Sequence, residues 1–285
     1  MESPSPAVRL AFYSIQPDGY EIDKSPVLFL HGVTGCKEYW NDIPRIVANT
    51  TKRKVFVLDL RNHGDSEWSE DFSFLNYAND VLQFMNSIHA PKVIFVGHSL
   101  GGFIAMRIAG IASGRVEKLV VEDLCASKTD PSVMDTLLLH VSLLQKALEQ
   151  MPEGLGEDAA RQFIDDFVDN GYTPDMKKLP KLIDGKQYDN TLKPTQDDRY
   201  TYRYNIDAIQ KALTEEHESS SATSGVYSGP TCFIYGQKSL FKVDKDEENI
   251  RKYFPSVEMV PIENAAHCVH KDCPEKFTEA LLKFI

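Results

Sequence analysis

The sequence predicts an α/β fold, a mostly parallel and doubly wound sheet with a helical segment inserted before its last strands. Three observations carry this. Short, continuously apolar runs alternate with helix-periodic segments over the first 125 residues. The same alternation returns after residue 226, and between the two stretches the strand signal disappears.

Val27–Leu30, Val55–Leu58, Val93–Val96 and Leu119–Val121 are apolar throughout, without the alternation of a half-exposed strand. Strands buried on both faces of a parallel sheet read this way. Between them, Tyr39–Thr50, Phe74–His89 and Leu100–Ala112 repeat apolar residues at three- and four-residue spacing, as amphipathic helices do. Strand–helix–strand repetition implies right-handed crossovers. Val133, Leu137, Leu138, Val141, Leu144, Leu148 and Met151 then follow helical spacing, as do Ala160, Phe163, Ile164 and Phe167. Pro152, Pro174, Pro180 and Pro194 separate further short helices, and Ser219–Gly225 reads as a flexible connector. The sheet resumes with Cys232–Tyr235 and Val257–Ile262 and closes with a helix over Pro274–Ile285. The expected division is a core of residues 1–125 and 227–285, with 126–226 as a helical lid over the carboxyl ends of the strands. Open α/β sheets bind their ligands at those ends.

Composition narrows the function classes. With 285 residues the chain can bury a large core without disulfide or metal staples. Lys and Arg number 31 against 42 Asp and Glu, a formal net charge of −11, which argues against nucleic acid and anionic membrane surfaces as partners. The five cysteines are an odd, scattered set with no CxxC pair, so reduced thiols are expected and no metal site. No motif calls for a cofactor, and no apolar stretch is long enough for a transmembrane segment. The opening MESPSPAVRL has neither the apolar core of a secretory signal nor the Arg-rich, acid-poor character of a transit peptide. A cytoplasmic location is the expectation.

The chemistry concentrates in a few loops. Gly97-His-Ser-Leu-Gly-Gly102 follows a strand and opens a helix, the strand–turn–helix context that gives GxSxG its meaning as a nucleophile elbow. Ser99 is the candidate nucleophile. A serine hydroxyl needs a base, and in this arrangement the base is a late histidine. His267, in the loop after Val257–Ile262, is the candidate; His270 competes with it. The turn Gly236-Gln-Lys-Ser239 carries serine where a GxxD acid is usual, so the carboxylate must come from elsewhere. Asp123, at the end of Leu119-Val-Val-Glu-Asp123, is the preferred acid; Glu122 turns to the other face by alternation, and Asp207 and Asp244 are alternatives. An oxyanion hole would use the N–H of Leu100 and that of Val33, in the glycine-rich His31-Gly-Val-Thr-Gly35 loop. His63, in Asp59-Leu-Arg-Asn-His-Gly-Asp-Ser66, reads as architectural. Cys36 and Cys125 read as small apolar filler.

These motifs resemble the α/β-hydrolase superfamily over almost the whole chain. Within it, the RNHGDS string and Tyr202-Arg-Tyr-Asn-Ile-Asp-Ala208 look like the α/β-hydrolase domain-containing protein 11 group and its bacterial esterase relatives. The resemblance implies a serine esterase, lipase or thioesterase acting on acylglycerols and other small acyl esters. It also implies the acid at the Asp123 position, with the Asp207 position acidic in animal relatives, and a mitochondrial location as the alternative. Thr34 and Cys36 depart from the bulkier residue and the serine usual in the group. Epoxide hydrolases and haloalkane dehalogenases share such a fold but use an aspartate nucleophile, which Ser99 disfavours. A non-catalytic ligand-binding or scaffold protein is the other alternative.

Overall fold

A computed structural model describes residues 6–70, 74–178, 192–216 and 225–285. Its strands are β1 (Phe12–Ile15), β2 (Val27–Leu30), β3 (Val55–Leu58), β4 (Val93–His98), β5 (Val116–Glu122), β6 (Leu192–Pro194), β7 (Tyr200–Tyr202), β8 (Thr231–Gly236) and β9 (Val257–Ile262). The helices are α1 (Ile43–Thr51), α2 (Phe74–Ser87), α3 (Leu100–Ile111), α4 (Pro131–Gln150), α5 (Glu157–Gly171), α6 (Ile206–Glu216), α7 (Glu247–Tyr253), α8 (Val269–Asp272) and α9 (Pro274–Phe284).

Seven strands form one sheet in the order β1-β3-β2-β4-β5-β8-β9, parallel except for β1 against β3. The uniformly apolar strands earn that place by burial on both faces. Leu28, Leu30 and Phe95 face a core shared with Val81 and Met85 of α2 and Ile104 and Ile108 of α3. Val27, Phe29, Ile94 and Val96 face the other way, toward Val47 of α1 and Phe277 and Leu281 of α9. The chain turns one way from β2 to β3 and the other way from β4 to β5, so the switch point lies between β2 and β4. Leu30 is registered with Gly97 there, which sets the loops after these two strands side by side.

Some elements depart from the sequence expectation. β1 was not anticipated: its residues alternate between exposed and half-buried on an edge, too weak a pattern for four residues. Helix α1 begins at Ile43 rather than near Tyr39, because Pro44 fits a first helical turn. Tyr39 and Trp40 belong instead to a tighter turn, Lys37–Trp40. The inserted segment is not helical throughout, since β6 and β7 form a small antiparallel hairpin and Pro194 ends a strand, not a helix. Pro180 and the connector residues 219–224 lie outside the described residues.

The insert has its own core, in which Val141 and Leu144 of α4, Ile164 of α5, Tyr202 of β7 and Ile209 of α6 are buried together. It is fastened to the sheet at both ends. The carboxylate of Asp246 accepts the N–H groups of Ala126 (2.7 Å) and Ser127 (2.9 Å). At the far end, Asn205 N–H donates to Asn62 O (2.8 Å) and Gly64 N–H to Arg203 O (2.6 Å). The Arg203 guanidinium reaches Asp65 (3.2 Å) and Glu38 (3.4 Å). No described helix is long and apolar enough to cross a membrane.

One buried group in the insert makes stability depend on pH. Nδ1 of His140 lies 2.5 Å from the Tyr172 hydroxyl, and burial pushes this imidazole down to about 4. An unfolded histidine takes its proton near pH ~6.5, so the stability tied to keeping His140 neutral is complete above that value. It is lost as pH falls toward about 4. Thermal denaturation at a series of pH values between these limits should show a shallower fall of Tm in His140→Phe than in the wild type. Equal slopes would place the acid sensitivity elsewhere.

Candidate active site

Ser99 occupies the sharp bend between β4 and α3 at φ 50° and ψ −114°, outside the relaxed regions for a residue with a side chain. The bend is held from both sides. Ser99 N–H donates to Glu122 O (3.1 Å), and Gly101 N–H donates to His31 O (3.1 Å). Glycine is required at 97 and 101, because a Cβ there would meet Gly101 O at 2.4 Å and Leu30 O at 2.1 Å. The elbow opens into a small pocket. Gly32, Val33 and Thr34 line one side, Ser99 and His267 another, with Leu137 of the insert and Phe241 as apolar walls.

The loop after β2 is fixed by two buried histidines. Leu60 N–H donates to Nε2 of His31 (3.0 Å), so the ring hydrogen sits on Nδ1, which donates to Gly32 O (2.7 Å). Gly35 N–H donates to the same carbonyl (3.0 Å). That carbonyl belongs to the trans peptide whose other end is the Val33 N–H, which therefore points the opposite way. The ring nitrogens of His63 lie 2.7 Å from Arg61 O and 2.7 Å from Val33 O, tying the RNHGDS loop to Val33. Burial pushes both imidazoles below their ordinary range, while the two carbonyls facing His63 act in the opposite sense. The rest of that loop is architectural as expected: Arg61 grips Asp80 of α2 inside the core at 2.7 Å and 2.9 Å. The Leu100 N–H, in the first turn of α3, has no acceptor within its own helix.

Nδ1 of His267 lies 2.7 Å from Oδ2 of Asp123. Its ring stacks on Phe241 with centroids 4.3 Å apart, and its carbonyl accepts the Nε2–H of His98 (3.1 Å). Asp123, one residue beyond β5, takes a left-handed φ of 49° and is fully buried. Its Oδ1 accepts Gly236 N–H (3.0 Å), and its Oδ2 accepts the hydroxyl of Ser239 (2.5 Å) as well as His267. The turn that lacks an acid thus supplies a hydroxyl to the acid of the neighbouring strand. Gly236 is needed because a Cβ there would stand 2.1 Å from Ala266 O, on the loop leading into His267.

The structure therefore brings Ser99, His267, Asp123, Val33 and Leu100 to one end of the sheet, and sets the alternative acids apart. Asp207 is exposed on α6 and accepts from Gln145 Nε2 (2.7 Å). Asp244 is exposed and lies 3.4 Å from Lys245 Nζ. Ser239, His98 and His31 are the site residues that sequence reasoning missed. The position of Ser239 in the expected acid turn was the available signal, and the other two sit inside motifs read for their serine and glycines. Burial raises the thiols of Cys36, to about 12, and of Cys125, as filler would have it. Among the described residues no group of three His, Cys, Asp or Glu side chains could hold a metal ion.

The alpha/beta hydrolase fold family model matches residues 25–274, and the chain belongs to that family. It is similar to the sn-1-specific diacylglycerol lipase ABHD11 of Danio rerio, 28% identical over 92% of this chain and 79% of that protein. The Mus musculus protein of the same name is 29% identical over 91% of this chain and 80% of its own. Among solved structures, a marine microorganism esterase superposes with a TM-score of 0.78 at 25% identity, covering 98% of this chain and 100% of the esterase.

Removing the Ser239 hydroxyl leaves a buried carboxylate one donor short. A hydrogen bond to a charged group is worth about 1.5–3 kcal/mol. Ser239→Ala should lose stability of that order in urea unfolding at neutral pH, and a loss within error of zero would mean that the bond is not made in solution.

Proposed function

We propose that this protein is a serine hydrolase that cleaves carboxylic acyl esters or thioesters through an acyl-enzyme. The observation that carries the reading is the contact of His267 Nδ1 with Asp123 Oδ2 (2.7 Å) in the pocket that Ser99 also lines. In this reading Ser99 is the nucleophile and His267 takes its proton through Nε2. Asp123 orients the ring and stabilises the imidazolium that forms. The N–H groups of Val33 and Leu100 receive the negative charge on the carbonyl oxygen, where each donor is worth roughly 2.7–4 kcal/mol in the transition state. The imidazolium then protonates the departing alcohol or thiol. Water repeats the sequence in reverse order to free the acid and Ser99.

Acylglycerols are the first substrates to try. Relatives over most of the chain carry the name diacylglycerol lipase, and Leu137 and Phe241 give the pocket walls that an acyl chain would pack against. Segment 126–226 acts in this reading as a lid, since Leu137 on α4 closes one side of the pocket. A serine at 99 disfavours the aspartate-nucleophile hydrolases.

Intact mass after treatment with a fluorophosphonate should show a single adduct on the wild type and none on Ser99→Ala. Asp123→Asn should lower kcat on an activated ester by about 10⁴-fold, as loss of the acid does in other triads. Asp207→Asn should leave turnover unchanged. Folded wild-type protein that takes no adduct would remove Ser99 as nucleophile, and a crippled Asp207→Asn would move the acid there.

A further inference from the structure

On the face of β5 opposite Asp123 lies a second carboxylate–imidazole pair. Glu122 and His270 are 0% and 1% exposed. Oε1 of Glu122 accepts the backbone N–H of His270 (2.8 Å), and His270 Nδ1 lies 2.8 Å and 2.9 Å from the two carboxylate oxygens. The other ring nitrogen, Nε2, is buried without a hydrogen-bond partner among the described residues. Around it pack the rings of Tyr39 (4.7 Å), Trp40 (4.6 Å) and Phe277 (5.9 Å). An imidazolium there would orphan a charged N–H donor, which costs more than leaving the lone pair of a neutral ring unused. The packing favours a neutral His270 with its hydrogen on Nδ1, donated to Glu122, and the charge of Glu122 is then not cancelled.

We propose that Glu122 is a positioning residue of this active site: it clamps the loop carrying His267 through His270 and sets a buried negative charge behind the imidazolium. The proposal rests on the reading of His267 as general base. The loop is held at several points, among them Lys238 N–H on Ala265 O (2.9 Å) and Ala266 N–H on Asp272 Oδ2 (2.7 Å). Asp123 takes the His267 ring, His98 its carbonyl, and Glu122 the backbone three residues on. Other titratable groups stand around His267. Burial keeps His98 neutral and keeps Tyr39 and Cys268 protonated. On α8, Asp272 accepts Ala266 N–H, and Lys271, of opposite sign, lies over the Tyr39 ring (4.1 Å). The carboxylates are thus Asp123, which touches the ring, Asp272, bonded to the preceding backbone and opposed by Lys271, and Glu122, which acts through His270.

Two measurements test this. In the wild type, ¹⁵N NMR of the imidazole nitrogens should find the hydrogen of His270 on Nδ1, facing Glu122, and none on Nε2. An imidazolium signal would overturn the proposal. In Glu122→Gln, which keeps the shape and an acceptor for His270, the imidazolium of His267 loses a favourable charge. The acidic limb of kcat/KM on an activated ester should then move to lower pH by about one unit, with KM little changed. A folded variant with an unmoved limb would also overturn the proposal. Should Glu122→Gln fail to fold, the wild-type spectrum still decides. The parent reading fails separately, by the absence of a fluorophosphonate adduct, and that result leaves the NMR outcome intact.

Discussion

The approach of one backbone to another at Gly101 is the constraint on which the site depends. A side chain at that position would meet the carbonyl of Leu30 at 2.1 Å, so α3 packs against the end of β2 only because residue 101 has none. That closeness lets Gly101 N–H bond His31 O, and it joins the elbow to the glycine-rich loop before any side chain is considered. Ser99 is left in a conformation that costs roughly 1–3 kcal/mol, and the surrounding sheet sustains it. Ser99 and the N–H groups around it then share one frame, whose geometry is set by main-chain contacts and not by mobile side chains.

Histidine serves here mainly as a buried bracket. Burial lowers the pKa of His31, His63 and His98. His31 accepts from Leu60 N–H and donates to Gly32 O, His63 lies between the carbonyls of Arg61 and Val33, and His98 donates to His267 O. A neutral imidazole suits the place of His31, being rigid, with one donor and one acceptor and no charge to desolvate. His267 differs in having a buried carboxylate on Nδ1. The same residue type thus fills two kinds of role within one pocket, divided by the partner that faces the ring.

Much of this was legible in the sequence, for reasons that can be named. β2, β3, β4 and β8 were visible because strands buried on both faces are apolar along their length, and their runs stand out against the polar loops. β5 and the edge strand β9 showed through shorter apolar stretches. The elbow was visible because steric exclusion leaves glycine at 97 and 101. Asp123 was reached by default, from the serine at 239, but the bond between the two was not, because it joins residues 116 positions apart. β1 and the β6–β7 hairpin escaped because four- and three-residue strands lack a period to detect. The clustering of His98, His267 and His270 was equally hidden, since it depends on the register of β4 with β5 and on where the loop after β9 lands.

The Asp123–Ser239 bond bears on how such a site can change over time. A histidine in a loop responds to where an oxygen lies and not to which strand delivers it. Here the ends of β5 and β8 converge closely enough that their side chains share one proton-accepting point. A lineage could therefore hand the acid from one strand to its neighbour without moving the histidine, provided that the strand giving up its charge keeps a small polar group in contact. Ser239 meets that condition, since its hydroxyl keeps the turn after β8 within the network.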